Sequence, residues 1–202
     1  MSSEIFEISL RAVIKGGDAL NGVVSRLTEL YGSGTEADMF QERLVFTPKE
    51  QTGNMNFINR ECLVDIVYER SHKILVKHLV SSVAVKTDIP SEVFAVRKSE
   101  AANANVRNVF LKAGFRPRHD FAKKGLRYKT QHDAFVTVTR PYNAQISVSS
   151  SNITGVPSWD NIGGQAPLGQ DYLIEISTQV TEQSKIDATV EKLSLFLAKF
   201  IS

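Results

Sequence analysis

Period-two alternation recurs along much of this chain, and a segment that alternates can bury only one of its faces, so it folds as a half-covered strand. The opening run Ile5-Phe6-Glu7-Ile8-Ser9-Leu10-Arg11-Ala12-Val13 puts Phe6, Ile8 and Leu10 on one side and Glu7, Ser9 and Arg11 on the other. Residues 172–180 form a further strand, whose polar side presents Glu175 and Ser177. Strands are also expected at 42–46, 63–68, 74–80, 92–98 and 134–139, the last from its β-branched content. Residues 81–87 read equally as a strand end or a loop, and Pro141 marks an interruption or an edge. Lys123-Lys124-Gly125 has turn composition, so residues 115–130 read as a hairpin.

Helical spacing intervenes in three places. Leu20, Val23, Val24, Leu27, Leu30 and Tyr31 form a stripe between the break at Gly16-Gly17-Asp18 and the stop at Gly32, which predicts a helix over 18–31. A second helix is expected with Asn103 as N-cap, Val106, Val109, Phe110 and Ala113 on its apolar face and Gly114 past its end. The third starts at Ser184-Lys185-Ile186-Asp187, a capping-box type of start, and carries Ile186, Val190, Leu193, Leu197 and Phe200 on one stripe. Residues 49–59 and 146–170 lack periodicity and are rich in turn formers. The sum is eight to ten strands and three helices in a single domain over 1–202, with an irregular loop at 146–170. Strands that succeed one another through short polar turns pair mostly antiparallel, which makes the class α+β and raises closure into a barrel.

Composition narrows the function. A chain of 202 residues, 42% hydrophobic and 23% charged, can build a full core. Its 24 Lys and Arg against 22 Asp and Glu give a net charge of +2, which argues against a protein whose work is wrapping nucleic acid. No apolar run reaches the about 18–20 residues of a membrane span, and the first ten residues lack the basic start of a leader. The expected location is therefore a reducing compartment, cytosol or nucleus. Cys62, the one cysteine, heads an apolar strand and is expected to be a small buried hydrophobe.

Few residues carry recognisable chemistry. His72, His78, His119 and His132 are scattered without metal-ligand spacing, and neither a nucleophile elbow nor a phosphate loop is present. Asn152-Ile153-Thr154 fits a glycosylation sequon without a secretory context. Two patterns are left. If the polar sides of the first and last strands face the inside of a barrel, Glu7, Ser9, Arg11, Glu175 and Ser177 become charged and polar groups in a tunnel; the plainer alternative is a strand face in water. Triphosphate-tunnel enzymes hold a divalent metal with paired glutamates on such strands. Here each second glutamate is a serine, and one carboxylate per strand is a poor site for a hard cation. The other pattern is the run from Phe115 to Lys129, whose basic residues Arg116, Arg118, Lys123, Lys124, Arg127 and Lys129 interleave with aromatics. It reads as a nucleic-acid surface or, better supported at this net charge, as a hairpin with one solvated basic side.

The same stretch carries a resemblance. Gly114-Phe115-Arg116, Asp120-Phe121, Lys124-Gly125 and Tyr128, with the helix before them, the opening strand and helix, Arg43-Leu44-Val45-Phe46 and the closing Tyr172-Leu173-Ile174-Glu175-Ile176-Ser177, resemble Mediator of RNA polymerase II transcription subunit 18. The resemblance covers about two thirds of the chain. It implies a mainly antiparallel β-barrel, triphosphate-tunnel-like, with about three flanking helices and used as a scaffold. It further implies a nuclear coactivator subunit that binds Mediator subunit 20 and a C-terminal helix of subunit 8, and so links activators to RNA polymerase II. On that reading the chain is not an enzyme and needs no cofactor or metal. Trp159, Ile162, Phe196 and Ile201 are the expected partner contacts, since apolar and aromatic groups beyond the core stripes anchor interfaces. The rival readings are a metal-dependent tri- or polyphosphatase working through Glu7 and Glu175, and an RNA-binding protein working through the basic run.

Overall fold

A computed structural model of the protein describes residues 5–47, 61–71, 73–103, 105–131, 133–142 and 167–201. Among these residues nine strands and three helices follow the order of the chain. Strand β1 (Ile5–Ile14) leads into helix α1 (Gly17–Tyr31), then β2 (Thr35–Glu36), β3 (Met39–Phe46), β4 (Cys62–Glu69), β5 (Ile74–Ser82) and β6 (Ser91–Glu100). Helix α2 (Val106–Lys112), β7 (Arg116–Lys129), β8 (Phe135–Tyr142), β9 (Tyr172–Val180) and α3 (Ile186–Ile201) complete it.

The strands pair antiparallel in the order β7-β3-β4-β5-β6-β1-β9-β8, and β8 returns to β7, so eight of them close a ring. The ring is irregular, with register shifts between Arg43 and Leu44 and between Leu79 and Ser81. Closure leaves no long unpaired edge. The short β2 runs on along β7 in the line of β3. Where the line breaks, Ala37 N donates to Gly125 O at 2.9 Å and Gly125 N donates to Asp38 Oδ1 at 3.1 Å, a side-chain oxygen standing in for a ladder carbonyl.

The hydrophobic core lies outside the ring, in two parts. Over β1, β6, β8 and β9, helices α1 and α3 cover Ile8, Leu10, Val136, Ile174 and Ile176 with Val23, Leu27, Ile186, Val190, Leu193, Leu197 and Phe200. The stripe expected on the last helix is buried in full. Over β3, β4 and β5, the shorter α2 sets Val106, Phe110 and Leu111 against Phe40, Leu44, Val64, Ile66 and Tyr68. Each Leu or Ile so covered is worth about 1.5–3 kcal/mol, which is why β1 and β9 turn their apolar faces outward beneath the helices.

Several expectations are corrected. Residues 116–129 are one 14-residue strand, not a hairpin. Gly125 is extended and pairs with Thr139, and a Cβ there would sit 2.0 Å from Val138 O. The glycine permits a close approach of β7 to β8 and makes no turn. The N-cap of α2 is Asn105, and Val109 is 59% exposed. Val106 and Phe110 of the expected face do pack on the ring, and Arg107 reaches Glu42 on it through two bonds of 2.7 and 2.9 Å. Cys62 is exposed, at the first residue of β4, where no described element covers it. Ser184 lies inside a 3₁₀ turn, Gln183–Lys185, rather than at a cap of α3. Ser81 and Ser82 end β5, and residues 83–87 are irregular. Pro141 faces Lys123 of β7 beyond the last β8 residue paired to β9, and its carbonyl accepts from Leu168 N at 3.0 Å. The loop expectations at 49–59 and over most of 146–170 lie outside the described residues.

Candidate functional site: a charged lumen

With the two apolar cores outside, a cavity of about 410 Å³ lies inside the ring, lined by charged and polar side chains together with apolar ones such as Val67, Leu75, Leu79, Phe94 and Val96. Glu7, Ser9 and Arg11 of β1 and Glu175 and Ser177 of β9 all line it, as the tunnel reading of those strands requires. Ser9 and Ser177 are register partners, and Arg11 stands opposite Glu175.

Each deep carboxylate is held by cations of two other strands. Glu7 receives Lys77 Nζ of β5 at 2.7 Å and Lys98 Nζ of β6 at 2.5 Å. Glu175 Oε2 receives Arg11 Nε at 2.7 Å and Lys123 Nζ of β7 at 3.2 Å. The other arm of Arg11 reaches Glu92 of β6 at 3.0 Å. Arg43 of β3 grips both oxygens of Asp65 of β4 at 2.6 and 2.7 Å, and Gln41 adds a third bond at 2.8 Å. A bidentate pair of this kind is the strongest common charged contact.

Burial acts on these groups against their partners. Burial alone would raise Glu175, but Lys123 and Arg11 outweigh it and hold its pKa at about 2. Glu7 is lowered for the same reason, burial being overcome by Lys77 and Lys98. Burial pulls Lys123 below the usual lysine value, with Arg11 repelling it, and pulls Lys98 down beside Lys77.

A divalent cation does not fit this donor set. Such an ion wants several charged oxygens converging on one point. Here Glu7 lies between two ammonium groups and Glu175 between a guanidinium and an ammonium. Among the described residues no three His, Cys, Asp or Glu side chains are grouped to hold a metal.

The other candidates are scattered. The basic run does not form one surface. Lys123 and Arg127 face the lumen, Arg118 pairs with Glu61 at 2.8 Å, and Lys129 pairs with Asp133 at 3.5 Å. Lys124 Nζ lies over the Tyr142 ring at 5.6 Å. Phe196 is part-buried, with its ring 6.3 Å from Tyr31 and 5.1 Å from Phe200, so it joins α1 to α3. Trp159 and Ile162 lie outside the described residues, as does the side chain of Ile201. Lys77, Lys98, Arg43, Asp65 and Glu92 were not foreseen as lumen groups. Their signal is single charged residues at alternate positions of mostly apolar strands.

No family model matches the sequence, and no curated protein matches it. Among solved structures the fold is similar to a chain of the Schizosaccharomyces pombe Mediator head module, at 17% identity over 98% of this chain and 96% of that chain, with a TM-score of 0.62. It is also similar to the PH1819 protein of Pyrococcus horikoshii, at 15% identity over 96% and 89% of the two chains and a TM-score of 0.57. The RNA triphosphatase domain of a mimivirus mRNA capping enzyme aligns at 10% identity over 99% and 90%, with a TM-score of 0.51. At these identities the likeness is one of fold: an α+β, mainly antiparallel ring of the triphosphate-tunnel-like type with three helices.

Proposed function

We propose that the chain is a non-enzymatic scaffold subunit of a Mediator head module, of the subunit 18 type, in a nuclear transcription coactivator. The observation that carries the reading is the self-paired lumen, in which Glu7 and Glu175 each spend their charge on two cations of the wall. A tunnel wired in this way braces the ring and leaves the outer surface for assembly. The fold shared along nearly the whole length of a Mediator head chain supports the same reading. The partners proposed are Mediator subunit 20 and a C-terminal helix of subunit 8, with RNA polymerase II and activators engaged through the assembled module.

Co-expression of the full chain with subunit 20 and the subunit 8 helix, followed by gel filtration, tests this. Co-elution of the three is expected; a monodisperse monomer that captures neither overturns it. The rival reading, a tri- or polyphosphatase, draws on the mimivirus fold. It requires nucleoside triphosphate hydrolysis with magnesium or manganese that Glu7→Gln or Glu175→Gln abolishes, and such activity would displace the scaffold reading.

A further inference from the structure

Lys124 of β7 and Arg140 of β8 are register partners, so two cations stand directly across from each other on the outer face of the ring. Like charges in that position destabilise a strand pair. Three other cation positions of this wall are compensated. Lys77 and Lys98 are also register partners, but Glu7 lies between them; Arg43 stands opposite Asp65, and Arg11 opposite Glu175. Lys124 and Arg140 differ, because among the described residues no carboxylate pairs with either.

Each cation rests on a tyrosine instead. Lys124 Nζ is 5.6 Å from the centre of the Tyr142 ring, and Arg140 Cζ is 5.4 Å from that of Tyr172. Arg140 Nε and Nη2 also donate to the Gly169 carbonyl at 3.3 and 3.0 Å, which holds the guanidinium in place. Leu168 adjoins the strip, its N–H donating to Pro141 O at 3.0 Å, and its side chain is 57% exposed. Tyr172 packs at the margin of one apolar core and Tyr142 at the margin of the other, so the strip runs along the seam between the helix layers.

We propose that this strip is a docking surface for an acidic segment of a partner protein, with carboxylates flanking an apolar anchor. The Cβ atoms of register partners lie about 5 Å apart, so neighbouring acidic residues of one segment can reach both cations and offset their like charge. The anchor lies against Leu168 and the tyrosines. A nucleic-acid strand fits less well, because it binds by neutralising a series of phosphates, whereas Lys123 and Arg127 of the same strand point into the ring. The inference goes beyond the Mediator reading and does not depend on it.

The test is fluorescence anisotropy of a labelled peptide, about twelve residues long and alternating glutamate with leucine, titrated with the full chain. Its glutamine counterpart and a single-stranded oligonucleotide of matching charge serve as comparisons. The acidic peptide is expected to bind and the glutamine peptide not. Affinity should fall about tenfold in the Lys124→Gln/Arg140→Gln double variant and stay within twofold in Lys112→Gln/Arg116→Gln. The melting temperature of Lys124→Gln should be unchanged or higher, since a repulsion is removed. No binding, an equal loss in the control variant, tighter binding of the oligonucleotide, or a Lys124→Gln chain that melts several degrees lower would each overturn the proposal.

Discussion

Glu175 concentrates the electrostatics of the lumen in one side chain. Its pKa falls from an ordinary 4.5 to about 2 because Lys123 and Arg11 outweigh its burial. A carboxylate lowered on folding adds stability that is complete above its unfolded value and is lost as the pH falls through its folded value. Here that window runs from about 4.5 down to about 2, and the contribution is about 3 kcal/mol. Urea unfolding between pH 7 and pH 2 should follow this slope, with Glu7 adding in the same direction. Glu175→Gln should flatten it and, by stranding Arg11 and Lys123 in the wall, lower stability at pH 7 by about 3 kcal/mol. An unchanged urea midpoint at pH 7 would mean that the two cations do not depend on this carboxylate.

At the scale of elements, β7 and α2 separate local from distant causes. A methyl group at Gly125 would meet Val138 O at 2.0 Å and Thr139 Cα at 2.8 Å, both backbone atoms that cannot step aside. Gly125→Ala is therefore expected to cost about 3 kcal/mol or more. Gly22, inside α1, has nothing within 4 Å of its missing Cβ, so Gly22→Ala should gain about 0.5–1 kcal/mol. Thermal melts of the two variants check both signs. Helix α2 buries no residue fully and is clasped by Arg107 on Glu42, which is 1% exposed. Arg107→Met leaves that carboxylate without its partner and should cost about 3–5 kcal/mol in denaturant unfolding, whereas an exposed pair such as Lys185–Glu182 should cost under about 1 kcal/mol. These cases show what the sequence could and could not reveal. Strands β1 and β9 and helices α1 and α3 were legible because each has one covered and one polar face, a pattern local to the element. The glycine and lysines of β7 have the composition of a turn, and their actual use depends on β8 and on the lumen. Arg11 and Glu175 lie 164 residues apart, and no local pattern announces that they meet. On α2, Val106 and Phe110 pack as their spacing implies, whereas the clasp of Arg107 on Glu42, 65 residues away, has no local signal.

For the whole molecule, what matters is that the apolar cores are outside and the charges inside. The described residues lining the lumen include six carboxylates (Glu7, Asp65, Glu69, Glu92, Asp133, Glu175) and six cations (Arg11, Arg43, Lys77, Lys98, Lys123, Arg127). At neutral pH they balance. As Glu7 and Glu175 take up protons in strong acid, Lys77, Lys98, Arg11 and Lys123 lose the charges that hold them and face one another across a cavity of about 410 Å³. Acid should therefore act from the inside outward, loosening the wall while the outer cores stay partly packed. The weakest closure of the ring is β8 on β9, where the register spans five residue pairs against nine for β1 on β9. At pH 2 and low ionic strength, the near-ultraviolet circular dichroism of the tyrosines should collapse while much of the far-ultraviolet signal persists. Amide protection should go first in β8. Because the acid state is driven by repulsion, about 0.5 M sodium chloride at the same pH should recover part of the tertiary signal by screening the lumen cations. A native near-ultraviolet spectrum at pH 2 in low salt, or an acid transition indifferent to salt, would show that the ring does not rest on its internal charge balance.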